Sequence, residues 1–134
     1  MANLTQQLIR HEGLRLKPYR DTEGKLTVGV GRNLDDRGIS ESEALYLLAN
    51  DIAIAEKDLD RNAPWWRQLS GPRRQALLNM VFNLGWPRLS GFRSMLAALQ
   101  TGDYEVAAKE MLDSKWAAQV GNRAKELAGM VRSG

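Results

Sequence analysis

Two carboxylates near the amino terminus, Glu12 and Asp21, stand in a glycine-punctuated stretch that runs from Glu12 to Gly31. Cleavage of a glycosidic bond needs such a pair: an acid protonates the departing oxygen, and a carboxylate activates water or attacks carbon. Glu12, at a helix end beside apolar Leu8, Leu16 and Tyr19, is the candidate acid. Asp21, at a wetter turn, is the candidate for the ionised partner, and Thr27 carries a hydroxyl able to hold a water against it. Taken singly, a glutamate at a helix end, an aspartate in a turn or a threonine in a strand is ordinary structure. The spaced pattern is what gives the three residues weight.

Positioning them requires a helix, a stop and a hairpin. Leu4, Leu8 and Ile9 recur at helical spacing and predict a first helix over about residues 3–11. Gly13 can stop it, because glycine takes the left-handed conformation of a helix cap without steric cost. Asp21-Thr22-Glu23-Gly24 has the composition of a tight turn, and a short β region is expected over about residues 15–32. One carboxylate therefore sits at a helix end and the other near a hairpin bend, a disposition that can place them on opposite walls of a cleft. The glycines of Leu26–Gly31 would let a ligand or another backbone come close.

Helices account for the rest. Ser40-Glu41-Ser42-Glu43 reads as a capping box for a long amphipathic helix carrying Ala44, Leu45, Leu48, Ile52, Ala55 and Leu59. Ser70-Gly71-Pro72 opens another, with proline in the tolerated first turn, which ends at Gly85. Ser90 is expected to open a helix through Leu99, Asp103 to cap one through about Asp113, and Asn122 to begin the last. The fold class is α+β, mainly α, with one small antiparallel sheet.

With 134 residues the chain reads as a single domain, and 43% hydrophobic content supports a real core. It has no cysteine, which excludes disulfides and thiolate metal sites, and its one histidine, His11, cannot hold zinc alone. No cofactor is implied. No segment approaches the ~20 apolar residues of a membrane span. Met1–Gln7 lacks a basic start followed by an apolar run, so synthesis in the cytoplasm is expected. The formal charge of +3 is mildly basic, but acids interleave with the bases. Arg61, Arg67, Arg73 and Arg74 read as solvated helix faces rather than a phosphate-binding stripe, so nucleic acid is not an expected partner. A positive surface also suits an anionic polymer such as a bacterial wall. Trp65-Trp66 reads as packing under the adjacent helix.

The pattern Glu12, Gly13, Leu16, Tyr19, Asp21, Gly24, Thr27, Gly29 and Gly31 resembles the phage-type lysozymes in register. A second block, from Arg74 to Gly85, looks like the central core helix of that family, and a third, from Ser114 to Ala124, looks like its C-terminal signature. The resemblance implies a lysozyme-like fold: a small β-containing lobe over about 13–40, a helix over about 40–60, and a helical lobe of 1–12 and about 60–134. It implies Glu12 as general acid, Asp21 as second carboxylate and Thr27 as the residue completing the triad. Their substrate would be the β-1,4 bond between N-acetylmuramic acid and N-acetylglucosamine in peptidoglycan. Gly31, Asn33, Phe82 and Arg123 would be substrate-binding, with Arg123 pairing with the glutamate, although by periodicity alone Phe82 reads as core. A monomer without stable membrane association, released to the wall through a separate membrane pore, is the implied setting. A lytic transglycosylase and a non-catalytic wall-binding module are the rival readings.

Several positions depart from the family's best-known member. Arg32 stands where that protein has a histidine, Asn33 replaces a sugar-contacting leucine, Met95 and Glu110 replace polar cleft residues, and the segment from Leu34 to Ser40 is much shorter. The stereochemical expectation is inversion, with carboxyls ~6.5–9.5 Å apart so that a water fits between them.

Overall fold

A computed structural model describes residues 3–134; Met1 and Ala2, where the reading of the amino terminus begins, lie outside the described residues. The chain divides into two compact units, Met1–Leu47 and Leu48–Gly134.

The first unit starts with helix α1 (Asn3–Glu12), stopped by Gly13 at φ 80°. Strands β1 (Arg15–Arg20), β2 (Leu26–Gly29) and β3 (Arg32–Asn33) form an antiparallel sheet in that order. Tyr19 pairs with Thr27 and Arg20 with Leu26, but the register shifts between Arg15 and Tyr19. Pro18 lies in that interval, and a proline has no N–H to give the ladder. Helix α1 falls in the first unit together with the sheet. The unit boundary falls inside α2 (Glu41–Asn62). That helix opens on the expected capping box: the Ser40 N–H donates to Glu43 Oε1 at 2.8 Å and the Glu43 N–H to Ser40 Oγ at 3.1 Å.

The second unit is helical. After a 3₁₀ turn at Pro64–Gln68 come α3 (Gly71–Leu84), α4 (Trp86–Leu89), α5 (Arg93–Thr101), α6 (Tyr104–Leu112), α7 (Lys115–Val120) and α8 (Asn122–Ser133). Its core is apolar: Leu59, Leu77, Met80, Leu89, Met95, Leu99, Met111 and Val131 are fully buried. Ala107 and Ala108 of α6 and Ala124 and Ala128 of α8 are buried, and α6 and α8 pack together. Trp66 is buried and donates its indole N–H to Asp60 at 2.7 Å, and Trp65 packs against the core, as the packing reading of that pair expects.

Two local expectations need correction. Ser90 does not open a helix; it ends α4, whose first turn holds Pro87, and α5 begins only at Arg93. Proline is disfavoured inside a helix but tolerated at its start, so Trp86-Pro87 begins a new helix rather than simply blocking one. The second is an omission: the sequence reading places no helix between Asp113 and Asn122, where α7 forms. Ser114 caps it by accepting from the Ala117 N–H at 3.1 Å, a signal present in the sequence.

Candidate active site

Glu12 is the last residue of α1, and its carboxylate lies directly against the backbone of Gly31. A Cβ at position 31 would stand 2.5 Å from Glu12 Oε2 and 3.1 Å from its Cδ. Gly31 also has φ 71°, a conformation that disfavours any side chain. Glycine takes this backbone without strain and leaves the carboxylate room against it.

Asp21 and Thr27 are tied to one residue between them. The Lys25 N–H donates to Asp21 Oδ1 at 2.8 Å, and the Lys25 carbonyl accepts from the Asp21 N–H at 2.9 Å and from Thr27 Oγ1 at 2.9 Å. Asp21 Oδ1 also accepts from the Glu23 N–H at 2.9 Å, and the Gly24 N–H closes the turn onto the Asp21 carbonyl. Both donors fall on Oδ1, which leaves Oδ2 without a protein donor among the described residues. Thr27 is buried at 3% exposure, and its hydroxyl proton is committed to Lys25. Its oxygen keeps a lone pair with which to accept from a water.

The loop after the sheet folds back on the same hairpin. Asp35 Oδ2 accepts from the Leu26 N–H at 2.7 Å, and Lys25 Nζ reaches Asp36 Oδ1 at 3.2 Å. Asn33 is engaged locally with Asp36, donating to its carboxylate and accepting from its N–H, each at 2.9 Å. Gly31 and Arg32 help line a depression of about 810 Å³ with Glu43 and Tyr46.

Phe82 and Arg123 lie in the helical unit. Phe82 is 43% exposed on α3, so the core position read from periodicity is not where it sits. Leu77, Val81 and Leu84 take the buried face of that helix instead. Arg123, half-buried at the start of α8, donates through Nε and Nη2 to Asn79 Oδ1 at 2.9 and 2.7 Å. Both residues line a depression of about 270 Å³ with Asn79 and Leu78. Met95 and Glu110, the two departures from the polar pattern, line a separate depression of about 540 Å³ together with Trp116. The Trp116 indole donates to Asn83 at 2.8 Å. Asn79 and Asn83 were the legible signal for these contacts: two amides one helical turn apart in an otherwise apolar run.

The basic cluster is largely engaged within the protein. Arg67 pairs with Asp60 at 2.8 Å, and Arg73 donates to the Val131 carbonyl at 2.7 Å with its guanidinium over the Tyr104 ring. Arg67 and the Trp66 indole hold the Asp60 carboxyl at about 2, below its ordinary 3.8. No described helix is long and apolar enough to cross a membrane, and the described residues contain no cluster of three or more metal-ligating side chains.

The sequence is similar to those of several known proteins. The chain is 30% identical to the pre-baseplate central spike protein Gp5 of Enterobacteria phage T4, over 98% of this chain but only 28% of that protein. It is 27% identical to probable T4-type lysozyme 1 of Dictyostelium discoideum, over 100% of this chain and 96% of that one. It is 32% identical to the endolysin of Acyrthosiphon pisum secondary endosymbiont phage 1, over 92% of this chain and 84% of that one. The family model for phage lysozyme matches residues 9–133, and the chain belongs to that family.

Proposed function

We propose that this chain is an endolysin-type muramidase that hydrolyses the β-1,4 bond between N-acetylmuramic acid and N-acetylglucosamine in bacterial peptidoglycan. Membership of the phage lysozyme family supports a wall-lytic activity at family level. The observation that carries the finer reading is how the sheet-bearing unit holds its three candidate residues. Glu12 is seated on a glycine wall, while Asp21 and Thr27 are locked to the two ends of Lys25. In this reading Glu12 protonates the leaving oxygen. Asp21, through its unoccupied Oδ2, takes a proton from water, and the Thr27 oxygen accepts a hydrogen bond from that water. Gly31, Asn33, Phe82 and Arg123 contact the saccharide. The enzyme acts as a monomer without a cofactor, is made in the host cytoplasm and reaches the wall after release.

Water attack activated by Asp21 inverts the anomeric carbon. Mass spectrometry of the products from purified peptidoglycan tests the reaction. Reducing muropeptides are expected; anhydro products would mean a lytic transglycosylase, and no cleavage would mean a binding module. Rapid NMR of the first-formed anomer tests the stereochemistry, and retention would overturn the water-activating role of Asp21.

A further inference from the structure

We infer that Arg32 and Glu43 are positioning residues for Glu12, acting through the Gly31 backbone. The inference rests on the proposed role of Glu12 as general acid. The seat of the Glu12 carboxylate is a stretch of main chain, and main chain at a glycine holds no position by itself. Gly31 lies between β2 and β3, and β3 is only two residues long, pairing through Val28–Arg32 and Thr27–Asn33. So little ladder leaves the wall dependent on what fixes its neighbour.

Arg32, the next residue, is fixed by a two-pronged clamp. Its Nη1 donates to Glu43 Oε1 at 2.8 Å and its Nη2 to Glu43 Oε2 at 2.7 Å. Nη1 also reaches the Gly38 carbonyl at 3.2 Å. A planar fork meeting a carboxylate through two bonds sets orientation as well as distance. Glu43 in turn is held by the capping box at the first turn of α2, a helix of 22 residues. The clamp thus connects the wall beside Glu12 to the first turn of the longest described helix. Arg32 and Ser40 hold the Glu43 carboxyl at about 2, below its ordinary 4.5, so the pair stays charged under any mild condition. An exposed ion pair contributes little to stability on its own. This one is expected to show its effect in turnover.

The test compares the intact chain with Glu43→Gln, Arg32→Met, their combination and Arg32→Lys, measuring kcat and KM on soluble peptidoglycan fragments together with Tm. Glu43→Gln can keep the capping box but not the fork. Glu43→Gln and Arg32→Met are each expected to lower kcat by roughly 10-fold or more while KM stays within about twofold, since a small misplacement of a reacting group has effects of that size. The double variant should be no worse than the weaker single one, because both break one unit. Arg32→Lys, which keeps one prong, should recover part of the loss. Wild-type kcat in these variants alongside an inactive Glu12→Gln would overturn the positioning role and leave the acid intact. A loss confined to KM or Tm would also overturn it. Turnover by Glu12→Gln would overturn both readings together.

Discussion

In the sheet-bearing unit, Asp21, Asp35 and Glu43 accept from backbone N–H groups, and Asp36 and Glu43 pair with Lys25 and Arg32. In the helical unit, Leu59, Leu77, Met80, Leu99 and Met111 are sealed from water. The two regions hold their shape by different physics. Hydrogen bonds are directional and place individual atoms, which suits a unit proposed to aim carboxylates. Apolar burial is not directional and supplies stability in bulk. Substitutions in the first unit should therefore affect turnover before stability, and those in the second should do the reverse.

The sharpest break of this contrast is Glu12→Gln. It should lower lysis of wall material by ~10²- to 10⁴-fold, the usual contribution of a general acid, with an unchanged circular dichroism spectrum and Tm. Asp21→Asn should be similarly impaired, and Asp21→Cys should retain some activity if a thiolate substitutes. Near-normal turnover by the folded Gln variant would remove Glu12 from the mechanism.

The complementary change is Leu77→Ala in the helical core. Leu77 is 1% exposed, so the cavity should cost ~2–5 kcal/mol, read as a lower denaturation midpoint at unchanged m. The fraction still folded should keep its kcat. A kcat loss matching the loss of stability would mean that the two units are not functionally separable.

Gly31→Ala should act on both axes. The left-handed backbone there costs any other residue ~1–2 kcal/mol, and the new Cβ would meet the Glu12 carboxylate. Turnover should fall further than the modest stability loss explains; unchanged kcat at reduced Tm would show that the contact is incidental.

A smaller effect is expected with acid. Glu43 in the first unit and Asp60 in the second each titrate at about 2 when folded, against ordinary values of 4.5 and 3.8. Each binds its proton more weakly folded than unfolded. The stability it contributes is complete above the ordinary value and is lost as pH falls toward about 2. Glu43→Gln and Asp60→Asn should each flatten the fall of Tm over that window, and a slope identical to wild type would remove that carboxyl from acid unfolding. Least of all, lysis should weaken as ionic strength rises. A chain of net charge +3 meets an anionic wall, and exposed charges are screened over ~10 Å at 0.1 M salt. A flat salt profile would show that the net charge does not assist binding.

Much of this was legible in the residues because the signals are local. The Ser40–Glu43 capping box, the turn at Asp21–Gly24 and the helix stops at Gly13 and Gly85 each depend on neighbours within a few positions, and each stands where it was expected. The candidates Glu12, Asp21 and Thr27 came from spacing and resemblance alone. What holds them did not. Nothing local says that the Glu12 carboxylate meets Gly31, that Arg32 chooses Glu43, or that Arg123 chooses Asn79. Nor does periodicity decide whether Phe82 faces inward, since the buried side of an apolar helix is set by what packs on it. Caps and turns are local energies; the partner of a guanidinium and the buried face of a helix are settled only when distant segments meet.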